Sequence, residues 1–111
     1  MIHYAQTVVV VRAPLVTDPY GNAVRDWSAA TRATVRRVSV QPDVSTEATG
    51  DRHVVTTGLR LITRRGADID LTSADRVEYG GRVLEVDGDV ARPVLGGRLH
   101  HAEARLKEVR G

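Results

Sequence analysis

The chain has 111 residues, enough for one domain with a thin core. It contains no Cys, which excludes disulfides, thiolate metal sites and cysteine nucleophiles. Formal net charge is only +2, from 16 Lys and Arg against 14 Asp and Glu, a balance that does not demand a nucleic-acid partner.

Every basic residue except Lys107 is Arg. Arg suits phosphate and bidentate carboxylate contacts, and an Arg bias also follows from GC-rich coding. There is no Phe and one Trp, so the apolar content is mostly Val, a residue fitted to pleated, half-buried surface. No apolar run approaches the ~20 residues of a membrane span. The amino terminus, Met1 to Gln6, lacks the basic region and cleavage site of a signal peptide. The expectation is a soluble protein made in the cytoplasm, without a membrane partner.

Tyr4 to Arg12 holds Val8-Val9-Val10-Val11 and stops before Pro14, which predicts a strand with apolar contacts on both faces. Thr17 to Asn22 (Thr-Asp-Pro-Tyr-Gly-Asn) is a dense turn cluster. Trp27 follows as the one large anchor, expected to pack over an end of the core. Thr34 to Gln41 reads as a second strand, ended by Pro42. The stretch 41–52 then reads as a long, polar, exposed loop, of the kind that is often functional in a small domain.

His53 to Thr63 predicts a third strand, with Val55, Thr57, Leu59 and Leu61 on one face. Arg64-Arg65-Gly66 turns the chain, and Ile69 to Leu71 suggests a short edge piece. Asp75 to Asp89 reads as a hairpin around Gly80-Gly81, which can take φ > 0 at both central positions of a type I′ turn. That turn sets Tyr79 opposite Arg82, Glu78 opposite Val83, Val77 opposite Leu84 and Arg76 opposite Glu85. Val77, Tyr79, Leu84 and Val86 then share one apolar face. Gly88, Pro93 and Gly96-Gly97 break the chain again. Leu99 to Val109 carries both helical spacing and strand alternation; the β context favours strand.

Catalytic and metal-binding patterns are sparse. In a strand, His100 and His101 would point to opposite faces and could not easily share a metal. Asp87-Gly88-Asp89 lacks the rest of a calcium loop. Ser45 and Thr46 have no evident base nearby, and no nucleophile elbow or phosphate-binding Gly loop occurs. The expectation is no enzyme and no cofactor. Arg36-Arg37 and Arg64-Arg65 are either solvated strand ends or a surface facing DNA. No aromatic residues interleave with them, so single-strand stacking has little support.

Several segments, taken in order, resemble one family. They are Asp18 to Asn22, Asp26 to Thr31 (Asp-Trp-Ser-Ala-Ala-Thr), Val38 to Pro42 with Ser45-Thr46-Glu47, the Asp75–Asp89 hairpin, and His100 to Gly111. Together they look like the head-to-tail stopper, or head closure, proteins of tailed actinobacterial phages. The resemblance spans nearly the whole chain and rests on order and spacing. One departure is Val90-Ala91-Arg92-Pro93-Val94, where such proteins often carry Arg-Trp.

The resemblance implies a single head–tail connector domain over residues 1–111, an all-β, small SH3-like barrel or sandwich with one long inserted loop. It implies a homo-oligomeric ring in the virion neck, assembled in the bacterial host cytoplasm. The ring would sit between portal–adaptor rings and a tail terminator, around packaged double-stranded DNA. The candidate channel-gating loop is Asp43, Val44, Ser45, Thr46, Glu47, Thr49, Gly50, Asp51 and Arg52. The candidate subunit contacts are Arg105 and Lys107, on the expectation that the first and last strands offer open edges. The alternatives are a small nucleic-acid-binding β-barrel, or a different neck layer such as an adaptor or tail terminator.

Overall fold

The computed structural model describes residues 2–49 and 52–109, with side chains described outside 44–57. The strands are β1 (Gln6–Arg12), β2 (Leu15–Thr17), β3 (Ala23–Arg25), β4 (Thr31–Thr49), β5 (Arg52–Thr63), β6 (Arg76–Tyr79), β7 (Arg82–Ala91), β8 (Val94–Leu95), β9 (Arg98–Leu99) and β10 (Glu103–Glu108). One 3₁₀ turn, Trp27–Ala29, precedes β4. Six strands close an antiparallel barrel in the order β1-β4-β5-β10-β7-β6, with β6 returning to β1. The chain is therefore all-β, as its Val-rich alternation implied. Two small ribbons, β2–β3 and β8–β9, lie outside the barrel sheet.

The barrel interior is filled from every wall: Val8 and Val10 from β1, Val38 and Val40 from β4, Leu61 from β5, Val77 from β6, Leu84 and Val86 from β7, Ala104 and Leu106 from β10. Ile69 and Leu71 join this cluster from an irregular segment rather than an edge strand. They plug the barrel because nothing pairs their backbone into the sheet, while both side chains are almost wholly buried. Large apolar side chains buried this way are each worth about 1.5–3 kcal/mol.

The β6–β7 hairpin has the expected register, from Arg76 opposite Glu85 to Tyr79 opposite Arg82. Gly80 and Gly81 sit at φ +57° and +77°, as a type I′ turn requires. Leu99 to Val109 resolves into β9, a short irregular link and strand β10. Trp27 departs from expectation. It is half-buried outside the core, with the Arg76 guanidinium 3.9 Å from its ring centroid.

Barrel closure also removes the edges expected of the first and last strands. β1 is flanked by β4 and β6, and β10 by β5 and β7. Neither can add a neighbouring copy's strand by backbone pairing.

Candidate functional site

The segment expected as a loop at 41–52 is instead paired strand. β4 passes through Pro42 and stays in register with β5 from Val38 opposite Thr63 to Thr49 opposite Arg52. Pro42 does not end the strand, and the reason is local. The Val40 N–H donates 3.3 Å to the Gln6 side-chain Oε1, so positions 40 and 42 turn their nitrogens toward β1. β1 begins at Gln6, opposite Val38, so no neighbouring backbone needs an N–H from Pro42.

Beyond Pro42 and Leu59 the two strands have only each other. β1 pairs β4 no further than Val38, and β10 pairs β5 no further than Leu59. From that point to the Thr49–Arg52 pair the ribbon extends about 24 Å at 3.4 Å per residue. The radius of gyration, 16.0 Å, agrees with a projecting element, since a compact chain of this length has about 13 Å. Of the candidate gating residues, Asp43 lies at the base of this ribbon, and Val44, Ser45, Thr46, Glu47, Thr49 and Arg52 lie along it. Gly50 and Asp51 are outside the described residues.

The ribbon's root is fixed to the barrel. Arg105 on β10 reaches Asp43 at 3.4 Å, bridging over β5. Gly58 sits so close to β10 that an added Cβ would lie 2.7 Å from the Leu106 carbonyl oxygen. Glycine is required here because the neighbouring strand occupies the space of a side chain.

The other barrel end is clamped by charged side chains. Arg12 meets Asp75 through Nε at 3.0 Å and one terminal nitrogen at 2.8 Å, and also reaches Asp70. Burial alone would raise the Asp75 carboxyl, but Arg12 and the Thr72 N–H together hold it below its ordinary range. The same contacts push the Arg12 guanidinium further up. Arg92 donates to Asp68 at 2.9 Å and to the Ile69 and Leu71 carbonyls at 2.9 and 3.1 Å. It holds the plug from outside, with no Trp in that stretch. Arg92 and the Ile69 N–H lower Asp68, and Arg60, chiefly by its side-chain hydrogen bond, lowers Glu103.

Of the subunit-contact candidates, Arg105 is used on Asp43, and Lys107 lies 3.5 Å from Glu85 and 3.8 Å from Asp87. Both side chains remain more than half exposed. His100 and His101 also depart from expectation. They lie in the irregular link before β10, not in a strand, and their Nδ1 atoms approach to 2.8 Å. His101 Nε2 is 3.2 Å from Glu103. Among the described residues no three His, Asp or Glu side chains are grouped to hold a metal ion.

No protein-family model matches the chain. No curated protein matches it either. Among solved structures, the chain is similar to one from a "Virion of native gene transfer agent (GTA) particle". The TM-score is 0.58 at 20% identity, and 94% of each chain is covered. At that identity the likeness establishes a shared fold over nearly the full length.

Proposed function

We propose that this chain is a structural component of a phage-type virion. Within it, the chain serves as a ring-forming neck protein that closes the DNA channel after packaging and presents a platform for the tail. The observation that carries the reading is the projecting β4–β5 hairpin on a closed barrel. The fold shared with a virion chain supports it, as does the family resemblance of the sequence.

A paired ribbon suits a gate better than a slack loop. Its backbone hydrogen bonds hold it out from the barrel, so each copy places its Thr49–Arg52 pair at a set distance. Many copies around an axis narrow a lumen by volume alone. Glu47 and Asp51 add negative charge that repels the uniformly negative duplex, Arg52 supplies one phosphate contact, and Asp43, paired with Arg105, anchors the ribbon. The partners in this reading are further copies of the chain, an adaptor ring on the head side, a tail terminator on the other, and packaged double-stranded DNA.

The test is DNA retention by tail-free heads. Three versions are compared: the gene intact, deleted, and with residues 44–57 replaced by a two-residue turn. Deletion is expected to yield packaged heads that leak DNA and refuse tails. The trimmed chain is expected to join heads yet leak. Full retention by the trimmed version would remove the gate from the hairpin. Retention after deletion would move the chain to another neck layer.

A further inference from the structure

The described basic side chains fall into three groups. Arg12, Arg32, Arg60, Arg82, Arg92, Arg105 and Lys107 are each ion-paired within the chain. Arg25 donates to the Ala13 carbonyl, and Arg76 stacks on Trp27. Arg36, Arg37, Arg64, Arg65 and Arg98 are all exposed, and no ion pair ties them to a carboxylate among the described residues. Among the described side chains, these five arginines have neither an ion pair nor another partner within the chain.

Topology brings the five together. Val38 pairs with Thr63, so Arg36-Arg37 and Arg64-Arg65 lie just beyond that pair, where β5 leaves the sheet. The Gly66 N–H donates 2.7 Å to the His100 carbonyl, which ties this turn to the segment bearing Arg98. Arg65, Arg98 and His100 line one cavity of about 230 Å³.

Backbone geometry gives a second, independent observation. In a regular strand Arg36 and Arg37 would face opposite sides, and one would enter the barrel. Instead β4 carries a bulge: Gln6 pairs with Val38 but Val8 pairs with Val35. Arg37 takes the left-handed conformation, φ 60°, the only described non-glycine residue to do so. Such a conformation is strained for a long side chain, and bulges re-aim side chains. Its result is that Val35 and Val38 both pack inward while the two arginines between them both stay outside.

We propose that Arg36, Arg37, Arg64, Arg65 and Arg98 form a binding site for the phosphate backbone of duplex DNA, separate from the hairpin. Planar guanidinium forks match phosphate oxygens and read no sequence. The site lies about 37 Å along the β4–β5 ribbon from its last pair, at 3.4 Å per residue. In a ring it would hold the duplex at the barrel wall while the hairpins act elsewhere. It does not depend on the hairpin being a gate.

The experiment is fluorescence anisotropy of a labelled duplex of about 20 base pairs with the full chain, across a roughly four-fold range of NaCl. If about three phosphates are neutralised, affinity should fall by roughly 40-fold over that range. The double variant R64Q/R65Q changes two exposed turn positions and is expected to lose at least about ten-fold in affinity and flatten the salt slope by about two. Variant R82Q, which removes an exposed arginine paired with Glu108, should bind as the parent does. The chain with 44–57 trimmed loses Arg52 and should lose no more than about one unit of salt slope, while R64Q/R65Q in that trimmed chain should still cost about ten-fold, which separates this site from the gate. Absence of salt-dependent binding would overturn the proposal, as would equal losses from R82Q and R64Q/R65Q. Tighter competition by polyglutamate than by duplex would also overturn it, and assign the patch to an acidic protein surface.

Discussion

At the scale of single residues, Asp75 is the most consequential charge. Its side chain is 2% exposed, yet it is ionised against Arg12 and the Thr72 N–H. Replacing it by Asn leaves a buried site short of one charge-assisted partner and should cost about 1–3 kcal/mol at neutral pH. A carboxyl held below its unfolded value stabilises the fold above that value and stops doing so as pH falls through the lowered one. Asp75, Asp68 and Glu103 all shift in this direction. The parent should therefore lose urea resistance in acid, below about pH 4. Asp75→Asn should be weaker at neutral pH with a shallower acid loss, measured as the urea midpoint across pH. Parallel curves for the two proteins would place the acid sensitivity elsewhere. Gly58 makes a second residue-scale case. Ala at this position drives its Cβ into the Leu106 carbonyl, backbone against backbone, so neither side can swing away. A loss of about 1–3 kcal/mol is expected in the same unfolding assay.

At the scale of elements, the plug Ala67–Asp75 is held by its two apolar side chains, by Arg92 and by Arg12 on Asp70 and Asp75, rather than by strand pairing. Arg92→Ala frees the Ile69 and Leu71 carbonyls and should cost about 1–2 kcal/mol, less than the roughly 2–5 kcal/mol expected for Leu71→Ala. Hydrogen exchange should separate the two effects. The Leu71 amide, bonded to the Ile69 carbonyl, should exchange faster in Arg92→Ala while β10 amides keep their protection. Equal acceleration everywhere would mean that the plug does not open locally. These same elements show why some of the fold could be read from sequence and some could not. The β6–β7 hairpin was legible to the residue because Val77, Leu84 and Val86 bury one face and Gly80-Gly81 fix the turn. Of the outer β4–β5 ribbon, the β5 half was legible from His53 onward, whereas the β4 half read as a loop because its residues are mostly small and polar and Pro42 stands at its start. On that half the strand signal was confined to β-branched residues such as Val44 and Thr46. The plug was legible as apolar but not as unpaired, since periodicity cannot tell a core strand from a core loop. The exposed ends of the chemistry were least legible. Neither the meeting of His100 with His101 nor the outward turn of both Arg36 and Arg37 follows from strand parity, because an irregular link sets one and a bulge sets the other.

At the scale of the whole molecule, stability and the proposed gate occupy different parts of the chain. Every residue of the described core cluster lies on the barrel walls, the plug or the link before β10. On β4 and β5 that cluster ends at Val40 and Leu61, with Leu59 packed against it, short of the ribbon's free stretch. Among the described residues, the Asp43–Arg105 pair and the close approach at Gly58 tie the ribbon to the barrel, and both lie outside 44–57. Exposed ion pairs of this kind contribute about 0–1 kcal/mol. Replacing 44–57 by a two-residue turn should therefore leave the free energy of unfolding within about 1 kcal/mol of the parent. The urea slope should fall slightly, because less surface is exposed on unfolding. A collapse in stability would show that the ribbon is part of the folding unit. Loss of DNA retention by that variant would then report misfolding rather than an open channel. Preserved stability with leaking heads is the one combination that isolates the hairpin as the gate. Charge reversal at Arg105 and Lys107 provides the matching control for assembly. Each sits on a strand whose two edges are occupied, so any role in a ring must act through side chains alone. Arg105→Glu with Lys107→Glu should fold with a stability loss of about 1–2 kcal/mol from its surface pairs. If rings on heads form unchanged, β10 faces no neighbouring copy. Failure to form them, with the fold intact, would assign this face to the subunit contact.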